Sequence, residues 1–357
     1  MKGRIVALLE DPAHPPMAAC LDAGRLTDLL ADPPETDPVP RLEAIYRARV
    51  TRRMDAMGAA FLDLGEGAEG FLKGAKGLRT GQVLLVQVAR YAEAGKAAPV
   101  SDEPLVKGRY AILTPHAPGV NVSRRIRDTD EAARLRLIAT DALEEAGLDP
   151  ETGPGVILRS FAEGVDADTV AEDVAALAAI WAEAQGADDA PGLVVAAPDA
   201  ETLAWREWVD PEPEQVLRGD AKLWEDLGIW DQIAGLFRAR VDLGAGAWMS
   251  VEATSALIAV DVNTGGDVTP AAGLKTNLAM AEALPVALRL RGLGGLVLVD
   301  PAPLSKRDRP KLEAALKRAF RAEGIDTQQT GWTPSGLIEL QRRRERRPLA
   351  GLIRRPD

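Results

Sequence analysis

The sequence predicts a multidomain chain of mixed α+β and α/β class, with a small β-barrel in its first third and an α/β unit at its end. Three observations carry that reading. The chain has 357 residues, too many for one ordinary core and enough for two to four compact units. Residues 41–101 contain short alternating runs, AIYRARVTRRM, GAAFLDLG, GFLKGAK and QVLLVQVARYA, with glycines between them at turn spacing. That is the pattern of a small barrel, for which the OB-fold is the leading candidate. From about residue 236, strand-like runs alternate with helical ones, the signal of an α/β arrangement.

Taken in order, MKGRIVALLE and MAACLDAGRLTDLLAD are two short strand-like runs joined by a Pro-rich turn. DPPETDPVPR (32–41) is a linker, because its prolines cannot continue an element. Beyond the barrel, residues 108–127 read as a strand, a loop and a basic strand. DTDEAARLRLIATDALEEAG follows as a helix, capped by Asp128 or Thr129 and stopped at Gly147. A strand at 155–162, a helix at roughly 167–185 and a short strand at 193–197 come next. Residues 199–235 are acidic and carry Trp205, Trp208, Trp224 and Trp230, with no assignable architecture. The last unit runs RARVDL, AWMSVEA, SALIAVDV, a helix at 274–291, GGLVLVD, a helix at 307–323 and SGLIELQRRR.

Composition narrows the chemistry. One cysteine, Cys20, excludes a disulfide framework and a Cys-based zinc site, and His14 and His116 are the only histidines. A metal here is therefore expected on carboxylates, which favours magnesium or manganese. There is no charged-then-apolar leader and no apolar run of spanning length, so a soluble cytoplasmic protein is the expectation. The net charge of −11 is unevenly spread: +4 over residues 41–101, −19 over 128–242 and +8 over 286–357. Two basic stretches thus flank an acidic middle, and local fields matter more to a polyanion than the total.

ALIAVDVNTGG (256–266) drives an apolar strand into Asp261, and GGLVLVDPAP (294–303) does the same at Asp300. With the helix between them these form a βαβ unit, whose strands are parallel with a right-handed crossover. Both aspartates then fall at carboxyl ends of parallel strands, about 5 Å apart if the strands are neighbours and about 10 Å if one strand intervenes. Two such anions repel unless a proton or cation lies between them, and a shared divalent ion removes the repulsion. The competing reading is plainer: strand-end aspartates are commonly caps or turn formers, and Asn263 and Thr264 are common turn residues.

The combination is recognisable. ALIAVDVNTG followed by LKTNLAMAEALPVALRLRGLGGLVLVD resembles the catalytic region of the ribonuclease E/G family. CLDAGRLTDL, the barrel segment, GRYAILTP with VSRRI, GVILRS and GLIELQRRR are similar to the same family in the same order. The resemblance implies an OB-fold inserted in a reduced ribonuclease-H-like unit, then a 5′-sensor-like unit and a deoxyribonuclease-like catalytic unit. The boundaries it implies are 1–39, 40–107, 108–185, 186–235 and 236–357.

It further implies Mg²⁺-dependent (or Mn²⁺-dependent) hydrolysis of single-stranded, A/U-rich RNA to 5′-phosphate and 3′-hydroxyl ends, in RNA processing or decay. Asp261 and Asp300 match the family's metal-binding aspartates, Asn263 its phosphate-positioning asparagine, and Arg342 an arginine near the scissile phosphate. Phe61, Phe71 and Lys96 match the RNA-clamping surface of the barrel, although on the residues alone the two phenylalanines are equally open to a barrel-core role. Arg124 and Arg125 lie in the matching VSRRI stretch, as further RNA contacts. Arg159 and Ser160 stand where the family holds an RNA 5′-monophosphate with an Arg-Thr pair.

Two departures stand out. Pro303 occupies the position of a further family acid, and the Cys-Pro-x-Cys zinc link is missing. Structural zinc and zinc-tied assembly are therefore not expected, which leaves a monomer or a dimer by another surface. The alternatives to a nuclease are an RNA-binding or regulatory protein with weakened turnover and a scaffold using the tryptophans of 205–230.

Overall fold

The computed structural model describes residues 3–354 apart from 94, 187, 188, 268 and 270. It has two compact units, Met1–Glu35 with Pro213–Asp357, and Thr36–Glu212. The first begins with β1 (Arg4–Leu9), β2 (Met17–Asp22) and β3 (Arg25–Ala31), an antiparallel meander. Where the sequence suggests two strands there are three, because Ala23 and Gly24 take positive φ (48° and 80°) and reverse the chain inside MAACLDAGRLTDLLAD.

The second unit is inserted after β3. Its strands β4 (Ile45–Met54), β5 (Ala59–Asp63), β6 (Glu69–Lys73), β7 (Val83–Val88) and β8 (Ala98–Ser101) pair in the order β4-β5-β6-β8-β7, and β7 returns to β4. The result is a closed five-stranded barrel of OB-like order, with β6 and β8 parallel. Strand alternation sends Val50, Leu62, Leu72, Val86 and Val100 into its core.

A second sheet of this unit combines β9 (Val106–Lys107), β10 (Ala111–Thr114), β11 (Val120–Val122) and β12 (Gly155–Leu158) in the order β11-β12-β10-β9. The helices α1 (Thr129–Glu145) and α2 (Ala167–Ala184) cover it, with Leu135, Leu143, Val174 and Trp181 packed on Leu113, Val156 and Leu158. The Asp128 side chain caps α1 by accepting the Asp130 and Glu131 N–H groups. β12 stops at Leu158, short of the 162 suggested by the sequence, because residues 160–162 turn as a single 3₁₀ turn. The unit closes with β13 (Gly192–Val195), which pairs with β4, and α3 (Ala200–Glu207).

The chain then rejoins the first unit. β14 (Gln215–Gly219) lies parallel to β1, and α4 (Ala221–Asp226) and α5 (Ile229–Leu236) bury Trp224, Ile229 and Ile233 against Ile5, Ala7, Leu9 and Leu21. The stretch 186–235, expected as one segment, is thus divided between the two units. Trp224 is fully buried and Trp208 is buried. These tryptophans serve cores, and of the four only Trp205 is exposed.

The remaining elements are β15 (Arg240–Gly244), β16 (Ala247–Ala253), β17 (Ile258–Asn263), α6 (Ala272–Leu290), β18 (Gly295–Asp300), α7 (Arg309–Glu323), β19 (Thr327–Trp332) and β20 (Ile338–Arg342). They build a six-stranded sheet in the order β15-β16-β17-β18-β20-β19, in which β17 and β18 are the parallel pair. One face is covered by α6 and α7, with Val260, Val262, Val297 and Val299 against Met280, Leu284, Leu288, Leu312 and Leu316. The other face is turned to solvent, and β17 alternates buried and exposed along its whole length. The edge strand β19, TQQTGW, has no apolar alternation for sequence reasoning to find.

Candidate active site

The open face of this sheet carries the two aspartates. Valines at 260, 262, 297 and 299 are held in the helix-covered core, so the period-two geometry of a strand forces Asp261, Asn263 and Asp300 outward. Asp261 and Asp300 are direct partners in the β17–β18 register, which places their strands about 5 Å apart. The neighbour arrangement is therefore the one present. One detail differs from the spacing argument: Asp261 lies inside β17 and not at its tip, because pairing with β16 continues through Asn263 opposite Trp248. The carboxylates accordingly stand on the sheet face. Both are exposed, and among the described residues neither makes a hydrogen bond or an ion pair.

The flanking loops hold this geometry. The Asn263 Oδ1 accepts the Gly265 N–H at 2.9 Å, an Asx turn that leaves the amide NH₂ free to donate outward. Gly265 has φ +66°, and a Cβ there would lie 2.3 Å from the Gly246 carbonyl oxygen. The turn can therefore rest on the β15–β16 hairpin only with glycine. After Asp300 the chain is clamped by Asn277 of α6, a fully buried residue. Its Nδ2 donates to the Ala302 carbonyl at 2.9 Å and its Oδ1 accepts the Ala302 N–H at 2.9 Å. At Gly273 a Cβ would meet the Pro303 carbonyl oxygen at 2.0 Å. Asn277 is a positioning residue that sequence reasoning missed. Its signal was a lone amide on the apolar face of KTNLAMAEAL.

The donor set suits a hard divalent cation. Two carboxylates side by side, exposed and unpartnered, offer oxygen ligands with room for water, as magnesium prefers. Among the described residues no group of three or more His, Cys, Asp or Glu is placed to hold a metal. Pro303 is exposed on the loop after Asp300 and brings no carboxylate.

Arg342 does not belong to this site. It pairs with Gly295 at the opposite end of β18 from Asp300, five residues or about 17 Å away along the strand. Its side chain is only 1% exposed and grips Glu323 with two hydrogen bonds of 3.0 and 2.8 Å. Glu323 also pairs with Arg289 at 3.2 Å, and Arg289 approaches Asp28 at 3.6 Å. Arg346 completes the chain of charges on Asp28. Burial pushes the Asp28 carboxyl up, but Arg346 and Arg289 outweigh it and hold the group below its usual range. The arginine expected at the scissile phosphate is thus structural, because its guanidinium satisfies a buried carboxylate.

The other expected residues lie in the barrel-bearing unit. Phe61 and Phe71 are half-buried partners on the outer face of the barrel. Their ring centroids are 5.3 Å apart in a T-shaped contact, and Arg52 lies 4.4 Å over Phe61. Neither ring belongs to the apolar core of the barrel, so the barrel-core reading is not the one present. Lys96 is exposed and pairs with Glu93.

Arg124 and Arg125 are exposed just beyond β11, which runs parallel to β12, so they leave the sheet at the same end as Arg159 and Ser160. Arg159 is not free. One Nη donates to the Gly108 carbonyl at 2.8 Å and the other to Glu207 at 2.8 Å. Glu207 and Arg206 continue this network to Glu43 and Lys107. Burial pushes the Glu43 carboxyl up, but Arg206 and Lys107 hold it below its ordinary value.

A closed barrel with an aromatic and basic outer face, and a one-sided α/β sheet bearing two in-register carboxylates, make up the equipment of a nucleic-acid-processing protein. The sequence profile of the ribonuclease E/G family matches residues 106–227 and 215–345, and the chain belongs to that family. Ribonuclease G of Salmonella typhimurium is 26% identical over 362 residues, covering 85% of this chain and 72% of the relative. Ribonuclease G of Escherichia coli K12 is 25% identical over 369 residues, covering 87% and 74%. Ribonuclease E of Haemophilus influenzae is 27% identical over 384 residues, covering 91% of this chain and 40% of its own length. Among the described residues no helix is long and apolar enough to cross a membrane.

Proposed function

We propose that this chain is an endoribonuclease of RNA processing and decay, hydrolysing phosphodiesters in single-stranded, A/U-rich RNA to 5′-phosphate and 3′-hydroxyl ends. The observation that carries the reading is the unpartnered, in-register Asp261–Asp300 pair on an open sheet face. Asp261 and Asp300 would hold Mg²⁺, with Mn²⁺ an acceptable substitute of the same hard-donor preference. When bound, such an ion supplies an activated water and neutralises charge on the phosphate.

The chain's own groups supply the rest. The Asn263 amide, oriented by its bond to Gly265, donates to a phosphate oxygen. Phe61 and Phe71 stack bases, with Arg52 beside them as a cation. Lys96, Arg124 and Arg125 contact phosphates along the strand. Arg159 and Ser160 form the 5′-phosphate pocket of this proposal, in which an incoming phosphate exchanges with Glu207 on the same guanidinium. The ribonuclease-H-like and deoxyribonuclease-like identities of the two sheets of the first unit, a cytoplasmic location, and assembly as a monomer or a zinc-free dimer are part of the same reading.

A catalytically weakened RNA-binding protein is the second reading, favoured by Pro303 on the loop that follows Asp300. The deciding experiment is cleavage of a short A/U-rich RNA, 5′-monophosphorylated or 5′-hydroxyl, in magnesium and in EDTA, with Asp261→Asn beside the unaltered chain. Magnesium-dependent cleavage lost in the variant supports the nuclease. Binding without cleavage supports the second reading.

A further inference from the structure

The open sheet face carries one large aromatic that no core uses. Trp248 on β16 is half-buried and stands directly opposite Asn263 in the antiparallel register, which sets their Cβ atoms about 5 Å apart. The next position on the same face, Ser250, is opposite Asp261, so Trp248 is a diagonal neighbour of Asp261 at about 7–8 Å. Trp248 belongs to none of the apolar clusters found among the described residues. Its indole N–H makes no hydrogen bond there. A tryptophan on a solvent-facing sheet, outside every apolar cluster and with no acceptor for its indole N–H, is incompletely explained by folding, since its polar edge and its apolar body both call for a partner.

Arg240 adds the second observation. It is exposed on β15 and opposite Ser250, two strands or about 10 Å from Asp261. Its guanidinium lies 4.7 Å over the Trp248 ring. Among the described residues it has no carboxylate partner, so its donor fork remains available to a phosphate. A π-face and an unpaired guanidinium side by side are what a nucleotide with its phosphate requires. Any of the four bases satisfies the first, and any phosphodiester the second.

We propose that Trp248 and Arg240 form a nucleotide subsite beside the carboxylate pair: the indole stacks the base of a nucleotide adjoining the scissile phosphate, and the guanidinium holds that nucleotide's other phosphate. This inference rests on the reading of the sheet face as an RNA-cleaving site and gives that site a base-holding part of its own. Stacking of this kind is indifferent to base identity, so the subsite positions the strand and does not select its sequence.

The test is an abasic scan. A short single-stranded RNA with one cleavage site is prepared as a series, each member lacking one base near that site. The full chain, Trp248→Ala and Trp248→Phe are compared in magnesium, with Asp261→Asn as the control for chemistry. For the unaltered chain, one abasic position flanking the cleaved bond should lower kcat/KM about ten-fold, the size of one stacked base. Trp248→Ala should lose the same factor on intact RNA and be insensitive to that abasic position, while Trp248→Phe should keep most of both.

If Trp248→Ala cleaves intact RNA like the unaltered chain, or loses activity equally at every abasic position, the subsite is overturned. The loss of cleavage in Asp261→Asn would leave the nuclease reading standing in that case. If no RNA is cleaved, the nuclease reading fails, and quenching of tryptophan fluorescence by the same RNAs decides the subsite. A quench that requires the base and is lost in Trp248→Phe sustains it, and equal quenching in both proteins overturns it.

Discussion

Asp261 and Asp300 are direct cross-strand partners in a parallel pair, and both project from the solvent-facing side of the sheet. Like charges so placed are destabilising, a cost that a shared cation would remove. Asp300→Asn should therefore leave the stability of the metal-free protein unchanged or slightly higher. Cleavage should drop by about 100-fold or more, since even groups that merely support a metal ligand are worth about 10–100-fold. Thermal melts with and without magnesium check the mechanism: a magnesium-dependent rise in Tm is expected for the unaltered chain and not for the variant.

Asn277 holds the backbone two residues beyond Asp300 with both its amide atoms. Asn277→Ala strands a buried N–H and a buried C=O, and should cost about 1–3 kcal/mol in urea unfolding. At temperatures where it stays folded, kcat should fall while RNA affinity is retained. An unchanged kcat in the folded variant would show that the loop does not position Asp300.

Glu323 is the buried carboxylate between Arg342 and Arg289. Glu323→Gln leaves both guanidinium groups undercompensated and should destabilise the fold by about 3–5 kcal/mol. Arg342→Met is expected to be milder, because Glu323 keeps Arg289, and its cleavage per folded molecule should match the unaltered chain. A folded but inactive Arg342→Met would return that arginine to the active site.

Asp28 makes acid stability testable. Its carboxyl is held below the ordinary value in the folded state, so the unfolded chain binds the proton more readily and folding is favoured by deprotonation. The contribution is fully present above the unfolded pKa of about 4, and is lost as pH falls through the folded value. Unfolding free energy measured in urea should decline below about pH 5. Asp28→Asn should be less stable at neutral pH and show a shallower decline.

Phe61 and Phe71 are half-buried on the barrel surface and contact each other and Arg52. Replacing either with alanine should weaken binding of single-stranded RNA by about 1–3 kcal/mol, the worth of a stacked base. Stability should change far less than for a core phenylalanine, for which about 3–5 kcal/mol is typical. Fluorescence anisotropy on a labelled RNA and a thermal melt separate the two effects.

Elements whose causes are local can be read directly from the amino-acid order. The barrel strands follow period-two alternation between glycines, the start of α1 follows from a cap at Asp128 or Thr129, and the β17–α6–β18 unit follows from its apolar runs and the length of its crossover. The parallel pairing that brings Asp261 and Asp300 together was also legible, from the length of the crossover; their place on the open face comes from the valines that enter the core. Features that depend on partners distant in the chain emerge only on folding. Arg342 is held by Glu323, 19 residues earlier, and Arg159 by Glu207, 48 residues later. The polar edge strand β19 is visible only through its pairing with β20, and the split of residues 186–235 only through the strands that β13 and β14 join. A guanidinium has the same sequence signature whether it faces a phosphate or a buried carboxylate. Which of the two it meets is set by folding, because pairing a buried carboxylate is what makes its burial tolerable.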